Sequence, residues 1–164
     1  MKTGIIIIFH NNEKQINPSF FIQKIRNTSN LKLCFVDNDS KDNTSVMLDE
    51  IKEACPEVSV VNIKKFKSDI SAVRAGARYM SNQFNLNQLG YVSANMLNIK
   101  YHGLNGLIDA INENQELLSK FNIEELKKRK IKVSLFQSLF SIIDYLKKIK
   151  VKNQFIELQY LSKF

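Results

Sequence analysis

Asp37 is the residue in this chain best placed to touch a ligand. It ends an apolar run, Leu33 to Val36, and a polar turn, Asn38 to Asn43, follows before Thr44 opens a helical pattern. An apolar run closed by an acid reads as a buried parallel strand delivering one carboxylate to the carboxyl edge of a sheet. In open α/β sheets that edge is where ligands bind. Basic residues offer the opposite chemistry. Lys64, Lys65 and Lys67 form one cluster, Lys127, Lys128, Arg129, Lys130 and Lys132 a second, and Lys147, Lys148, Lys150 and Lys152 a third. Each has two readings. One is a solvated face or helix end, where cations suit the last turn. The other is attraction to an anion: a diphosphate, an anionic membrane surface or nucleic acid. Solvated surface ranks first for each cluster taken singly. No aromatic–basic interleaving or binding-motif signature accompanies them, so no nucleic-acid partner is expected.

The elements that must position these residues alternate along the chain. Gly4 to Phe9 is a continuous apolar run, a buried strand. Asn17 and Pro18 suit a helix start, and the helix is expected to run to about Asn27. Leu31 to Val36 is a second strand. Thr44 to Ala54 is a helix stopped by Pro56, with Val46, Met47, Ile51 and Ala54 expected inward. Val58 to Ile63 is a third strand. Ser68 caps a helix from Asp69 to Asn82, whose Ala72, Ala75, Gly76 and Ala77 allow tight packing. Leu89 to Val92 is a short fourth strand. The order β-α-β-α-β-α-β argues for an open, mostly parallel sheet with helices on both faces. The pattern then turns helical. Leu104 to Phe121 and Ser134 to Ile149 carry apolar residues at helical spacing, and Ile123 to Lys130 is short and charged. Phe155 to Leu161 fits a strand or a helix.

Bulk numbers bound the class. The chain has 164 residues, enough for one domain with a core. It is 44% hydrophobic and 24% charged, with a net charge of +8, ordinary for a soluble globular protein. No run approaches the roughly 20 apolar residues of a membrane span, and the first residues make a strand rather than a signal segment. Cys34 and Cys55 read as reduced core thiols, which points to the cytoplasm. Two cysteines and two distant histidines give no zinc spacing.

Three segments in order resemble family 2 glycosyltransferases, which have the GT-A fold. Val36-Asp37-Asn38-Asp39-Ser40-Lys41-Asp42-Asn43-Thr44 is similar to the family's Val-Asp-Asp-Gly-Ser-x-Asp-Gly-Thr. Phe9-His10-Asn11-Asn12-Glu13 resembles the Pro-Val-Tyr-Asn-Glu-Glu loop after the first strand, with Asn11 and Glu13 matching and His10 replacing the aromatic. Lys67 to Gly76 resembles Arg-Gly-Lys-x-x-Ala-x-Arg-x-Gly, with Arg74 and Gly76 matching and Lys67 keeping the charge. The resemblance covers about the first 110 residues and implies a nucleotide-sugar donor, in the first instance a uridine diphosphate sugar. It implies that Asp37 hydrogen-bonds the base and that the loop of Phe9, His10, Asn11 and Glu13 walls the base pocket. Asn38, Lys67, Arg74, Ser93 and Asn95 are carried over as binding residues of the same pocket. Read without the resemblance, His10 is simply a polar residue at a strand end, Arg74 equally suits a structural ion pair, and Asp42 and Thr44 cap a turn and helix.

The chain departs from the family after the fourth strand. There the family carries Asp-x-Asp, which holds a divalent metal on the sugar diphosphate. Here Ser93-Ala94-Asn95 stands instead. A neutral Asn95 oxygen ligates a hard cation weakly, and Ser93 adds little. No cofactor is therefore expected beyond weak manganese or magnesium. The expectation is one truncated GT-A-like domain over 1–164, with a nucleotide-sugar half at 1–110 and a helical extension at 111–164. Its expected function is a degenerate nucleotide-sugar-binding protein of surface polysaccharide or glycoconjugate biosynthesis. A metal-independent transferase using lysines for the diphosphate is the first alternative. A non-catalytic module, docking on a protein partner or another copy through the Ser134–Ile149 face, is the second. For that face, burial in the core ranks above contact with a membrane surface.

Overall fold

The computed structural model describes residues 3–28, 31–97, 103–120 and 139–148. Strand β1 (Thr3–Phe9) is buried along its whole length, as a strand covered on both faces must be. Its side chains alternate. Ile5, Ile7 and Phe9 join one apolar cluster, and Ile6 and Ile8 another. Strands β2 (Leu31–Asn38), β3 (Val58–Ile63), β4 (Gln88–Ser93) and β5 (Phe140–Ser141) complete a parallel sheet in the order β3-β2-β1-β4-β5. Between β1 and β4 the chain reverses its direction across the sheet, which is the topological switch point where such sheets bind ligands.

Helices cover both faces, as the alternating pattern predicts. Helices α1 (Pro18–Ile25) and α2 (Thr44–Ala54) lie on the face of Ile5, Ile7 and Phe9, with α4 (Gly103–Glu113) beside α1. Helix α3 (Asp69–Gln83) covers the other face alone among the described helices. Asn17 caps α1, its Oδ1 accepting the Phe20 N–H at 3.2 Å, and Ser68 caps α3 by accepting the Ser71 N–H at 3.3 Å. A Cβ on Gly76 would lie 2.9 Å from Ile6 Cγ2 and 3.0 Å from Val36 Cγ2, so the missing side chain sets how closely α3 seats on β1 and β2. Lys24 and Asp109 tie α1 to α4 at 3.0 Å.

Several details differ from the pattern. Helix α1 stops at Ile25, not Asn27. In α2 the inward set is Leu48 and Ile51, with Met47 and Ala54 partly buried, while Val46 is 64% exposed. The expected helix from Leu104 is broken at Asn114 into α4 and α5 (Gln115–Lys120). Within its described part the expected helix over Ser134 to Ile149 is present as α6 (Ile142–Lys148), preceded by the short strand β5 rather than by further helix. Apolar runs cannot separate a buried strand from a helix by period alone. The strand forms because Gly90 has no side chain, so Phe140 and Ile142 come directly against β4. Ile142, Ile143, Tyr145 and Leu146 are buried in the same cluster as α1 and α4, so these apolar residues are core. Residues 123–130 and 155–161 lie outside the described residues. No helix among the described residues is long and apolar enough to cross a membrane.

Candidate functional site

Parallel register brings the strand ends of β1, β2 and β4 level. Phe9 pairs with Asp37 across β1 and β2, and Ile8 pairs with Ser93 across β1 and β4. The loops leaving these ends, 10–13, 38–44 and 93–96, therefore meet at one edge. Residues 64–68, leaving β3, join them through Asn38. Its side-chain oxygen accepts the Lys67 N–H at 3.0 Å and its NH2 donates to the Lys67 carbonyl at 2.8 Å. Asn38 is fully buried, so this two-way bond satisfies a side chain that would otherwise be costly to bury.

The loop after β1 is locked onto the loop after β2. His10 Nδ1 donates to the Asn38 carbonyl at 2.7 Å, because a carbonyl can only accept. That leaves Nε2 to accept from Asn11 Nδ2 at 3.2 Å. The Asn11 N–H donates to Ser40 Oγ at 2.9 Å, and Asn11 Oδ1 accepts the Lys41 N–H at 2.7 Å. Deeper in, the Asn12 N–H donates to Thr44 Oγ1 at 2.8 Å, and that hydroxyl donates to Asp42 Oδ1 at 2.6 Å. Asp42 also accepts the N–H groups of Thr44 and Glu13, at 3.0 and 3.3 Å. Burial opposes its charge, but these donors outweigh burial and hold its carboxyl below the usual carboxylate range. Asn43 in turn donates its N–H to Glu13 Oε2 at 3.2 Å. Asp42, Thr44 and Glu13 are thus the frame that holds the two loops together.

Asn11 and Asp39 both take left-handed backbone, with φ of 54° and 57°. Asn and Asp are the non-glycine residues that tolerate it best. Asp39 occupies the glycine position of the motif that this segment resembles. Its carboxylate accepts from Lys41 Nζ at 2.9 Å and from the Phe66 N–H at 3.2 Å. The Lys41 ammonium is the main reason its carboxyl sits below the usual range. The Phe66 ring is 56% exposed and stands edge-on to His10, with centroids 4.7 Å apart. Sequence reading passed over Asn12, Asp39 and Phe66. The one available signal was the acid standing in place of glycine at 39.

Asp37 is 5% exposed, and its Oδ1 accepts the Ser40 N–H at 3.3 Å. That is its one hydrogen bond among the described residues, against roughly four acceptor positions on a carboxylate. Phe9 does not present its ring at this edge. The ring is fully buried, 5.3 Å from that of Phe35 in an edge-on contact, because the strand alternation turns it into the core. Lys64, Lys65 and Lys67 are exposed at the same edge.

The residues after β4 do not fit a metal. Asn95 Oδ1 accepts from Asn12 Nδ2 at 2.9 Å, and Asn95 Nδ2 donates to the His10 carbonyl at 3.3 Å. Both ends of the amide are spent on bracing the 10–13 loop. Ser93 Oγ is buried without a hydrogen-bond partner among the described residues. Hard divalent cations want several oxygen ligands, carboxylates foremost, and no group of three acidic, histidine or cysteine side chains converges among the described residues. Asp109, the next acid along the chain, is turned toward Lys24.

Ser93 and Arg74 line a cleft of about 450 Å³ that none of the other eight expected site residues lines. This cleft lies between the start of α3, the end of β4 and the β5–α6 corner, and Asp69, Tyr91, Ser141 and Asp144 also face it. Of the ten residues that sequence reading assigned to one pocket, His10, Asn11, Glu13, Asp37, Asn38, Lys67 and Asn95 meet around the loops after β1 and β2. Phe9 is at the strand end with its ring in the core.

No curated protein matches this chain. The family model for glycosyl transferase family 2 matches residues 4–87, from the second residue of β1 to the residue before β4. That span is just over half of the chain and carries the two interlocked loops, Asp37 and the Lys67–Gly76 helix start. With its parallel sheet, helices on both faces and the matched span, the chain belongs to glycosyl transferase family 2.

Proposed function

We propose that this protein binds a nucleotide sugar, a uridine diphosphate sugar in the first instance, at the loops after β1 and β2, and has lost metal-dependent transfer. The family supplies the donor class in general. Asp37 is the proposed contact to the base, since a buried carboxylate with one partner has acceptor capacity left for ligand N–H groups. His10, Asn11, Glu13 and Asn38 shape the pocket wall, and Lys67 faces the diphosphate. The single observation that carries the loss of metal chemistry is the Asn95 amide, held between Asn12 and the His10 carbonyl where the family carries acids. Without a divalent ion, the several kcal/mol of leaving-group stabilisation that a metal gives would fall to Lys67 and the lysines beside it. The role that fits is an accessory binding protein of surface polysaccharide or glycoconjugate synthesis in the cytoplasm.

One observation favours a second reading. Lys64, Lys65 and Lys67 are exposed together at the same sheet edge, and cations there can neutralise a diphosphate without a metal. A thermal-shift panel of nucleotide sugars, with and without manganese, tests the first reading. Stabilisation by uridine nucleotides that manganese leaves unchanged supports it, and no stabilisation by any nucleotide sugar contradicts it. Release of uridine diphosphate on incubation with a donor, lost in a Lys64, Lys65 and Lys67 triple alanine variant, establishes the second.

A further inference from the structure

We infer that the free edge of β3 pairs with β3 of a second copy of this chain, so that two sheets join antiparallel into one. Strand β3 stands at the end of the order β3-β2-β1-β4-β5, and among the described strands only β2 pairs with it. The ladder settles which of its main-chain groups face outward. Leu33, in register with Val58, donates its N–H to the Glu57 carbonyl at 3.0 Å. In a parallel ladder alternate residues turn both main-chain groups to the same neighbour. Glu57, Ser59 and Val61 therefore face β2, and Val58, Val60 and Asn62 face away. The Val58 N–H donates to the Cys55 carbonyl at 3.1 Å. The Val58 carbonyl and both main-chain groups of Val60 and Asn62 have no partner among the described residues. Such an edge is a template for another strand, and proteins commonly blunt it with a charge, a proline or a bulge. Val58-Ser59-Val60-Val61-Asn62-Ile63 contains no charge and no proline.

The free groups are complementary to themselves. With a two-fold axis at Val60, the two Val60 residues form a hydrogen-bonded antiparallel pair, each donating its N–H to the other's carbonyl. Asn62 of each copy then lies opposite Val58 of the other, and its N–H donates to the free Val58 carbonyl. Only the Asn62 carbonyl stays open to water. Charge selects the same direction. The strand starts beside Glu57 and the last turn of α2, which carries Glu53, and it runs out into exposed Lys64 and Lys65. Antiparallel pairing sets Lys64 and Lys65 of one copy level with Pro56 and Cys55 of the other, next to these acids. A parallel pair would set lysines beside lysines. The occupant that fits both the bonds and the charges is a second copy. The pairing leaves the switch point between β1 and β4 uncovered, so it stands apart from the nucleotide reading.

The test uses the full chain, in sedimentation equilibrium and in hydrogen exchange. We expect a reversible dimer at micromolar concentrations. The Val60 and Asn62 amides should be protected in the dimer and exchange rapidly on dilution to the monomer. Val60→Pro removes one outward N–H and leaves the bonds to β2, at a position where an edge strand accepts proline. It should keep the circular dichroism of the native chain and weaken the dimer at least tenfold. The double variant Lys64→Glu, Lys65→Glu should weaken it at least tenfold as well. A monomer at every concentration, a dimer whose Val60 and Asn62 amides exchange as fast as in the monomer, or full-strength association of either variant overturns the inference. If Val60→Pro loses its fold, amide protection in the native chain decides alone.

Discussion

Asn12 and Asn95 meet across the carboxyl ends of β1 and β4, their side chains 2.9 Å apart. This bond spans the switch point of the sheet, where a ligand or metal would otherwise enter. Asn12 is 3% exposed and its Oδ1 also accepts the His10 N–H at 2.7 Å. The bond is therefore structural as well as positional. Asn12→Ala leaves the His10 N–H and Asn95 Oδ1 without their partners, and should destabilise the fold by about 1–3 kcal/mol. Urea unfolding checks this. A change below about 0.5 kcal/mol would mean that the brace is dispensable.

Thr44 relays the same lock to the next loop. Thr44→Val keeps the volume but removes the hydroxyl between the Asn12 N–H and Asp42 Oδ1. The expected loss is about 1–3 kcal/mol, because a buried donor is left unsatisfied. A double-mutant cycle with Asp42→Asn should show clear coupling, since both substitutions break one network. Strictly additive effects would contradict the relay.

Asp42 also predicts a pH dependence. Its folded carboxyl is held below the usual value of about 3.9. A depressed carboxyl stabilises the fold fully above the unfolded value, and the stabilisation is lost as pH falls through the folded value. The gap in stability between the native chain and Asp42→Asn should be constant above about pH 5 and close as the pH drops below about 4. Urea midpoints from pH 3 to 7 measure it. A gap that widens on acidification would reverse the assignment.

Gly90 tests the edge of the sheet. A side chain there would run into Phe140 and Ile142, and overpacking of this kind typically destabilises by about 1–3 kcal/mol. Gly90→Val should loosen β5 and α6 selectively, which hydrogen exchange at Phe140 to Leu146 reads out. Unchanged protection there would show that the corner is not seated by this contact.

The sequence made most of the sheet legible because β1 and the Leu33–Val36 part of β2 are buried on both faces and read as unbroken apolar runs. The helix start at Thr44 and the Ser68 cap were legible for local reasons: a polar turn precedes one and a capping hydroxyl the other. The C-terminal corner was not. Leu139 to Leu146 has helical spacing, yet Phe140 and Ser141 pair with β4, and only the absence of a side chain on distant Gly90 permits it. At the site, Asp37 and Asn38 were legible from a strand ending in polar residues. The division of the ten expected residues was not, because Arg74 lies on α3 and Ser93 on β4, and packing alone decides which loops they face. Asn95 was recognisable as a poor metal ligand, but its bond to Asn12 joins residues 83 apart in sequence.

The central claim is that uridine nucleotides are recognised through Asp37 without help from a divalent ion. Titration calorimetry of a uridine diphosphate sugar into the native chain and into Asp37→Ala, each with and without manganese, measures it directly. The account predicts saturable binding to the native chain, a manganese effect of less than threefold, and at least tenfold weaker binding to Asp37→Ala. Strong enhancement by manganese, or equal binding by the Asp37→Ala variant, would contradict it.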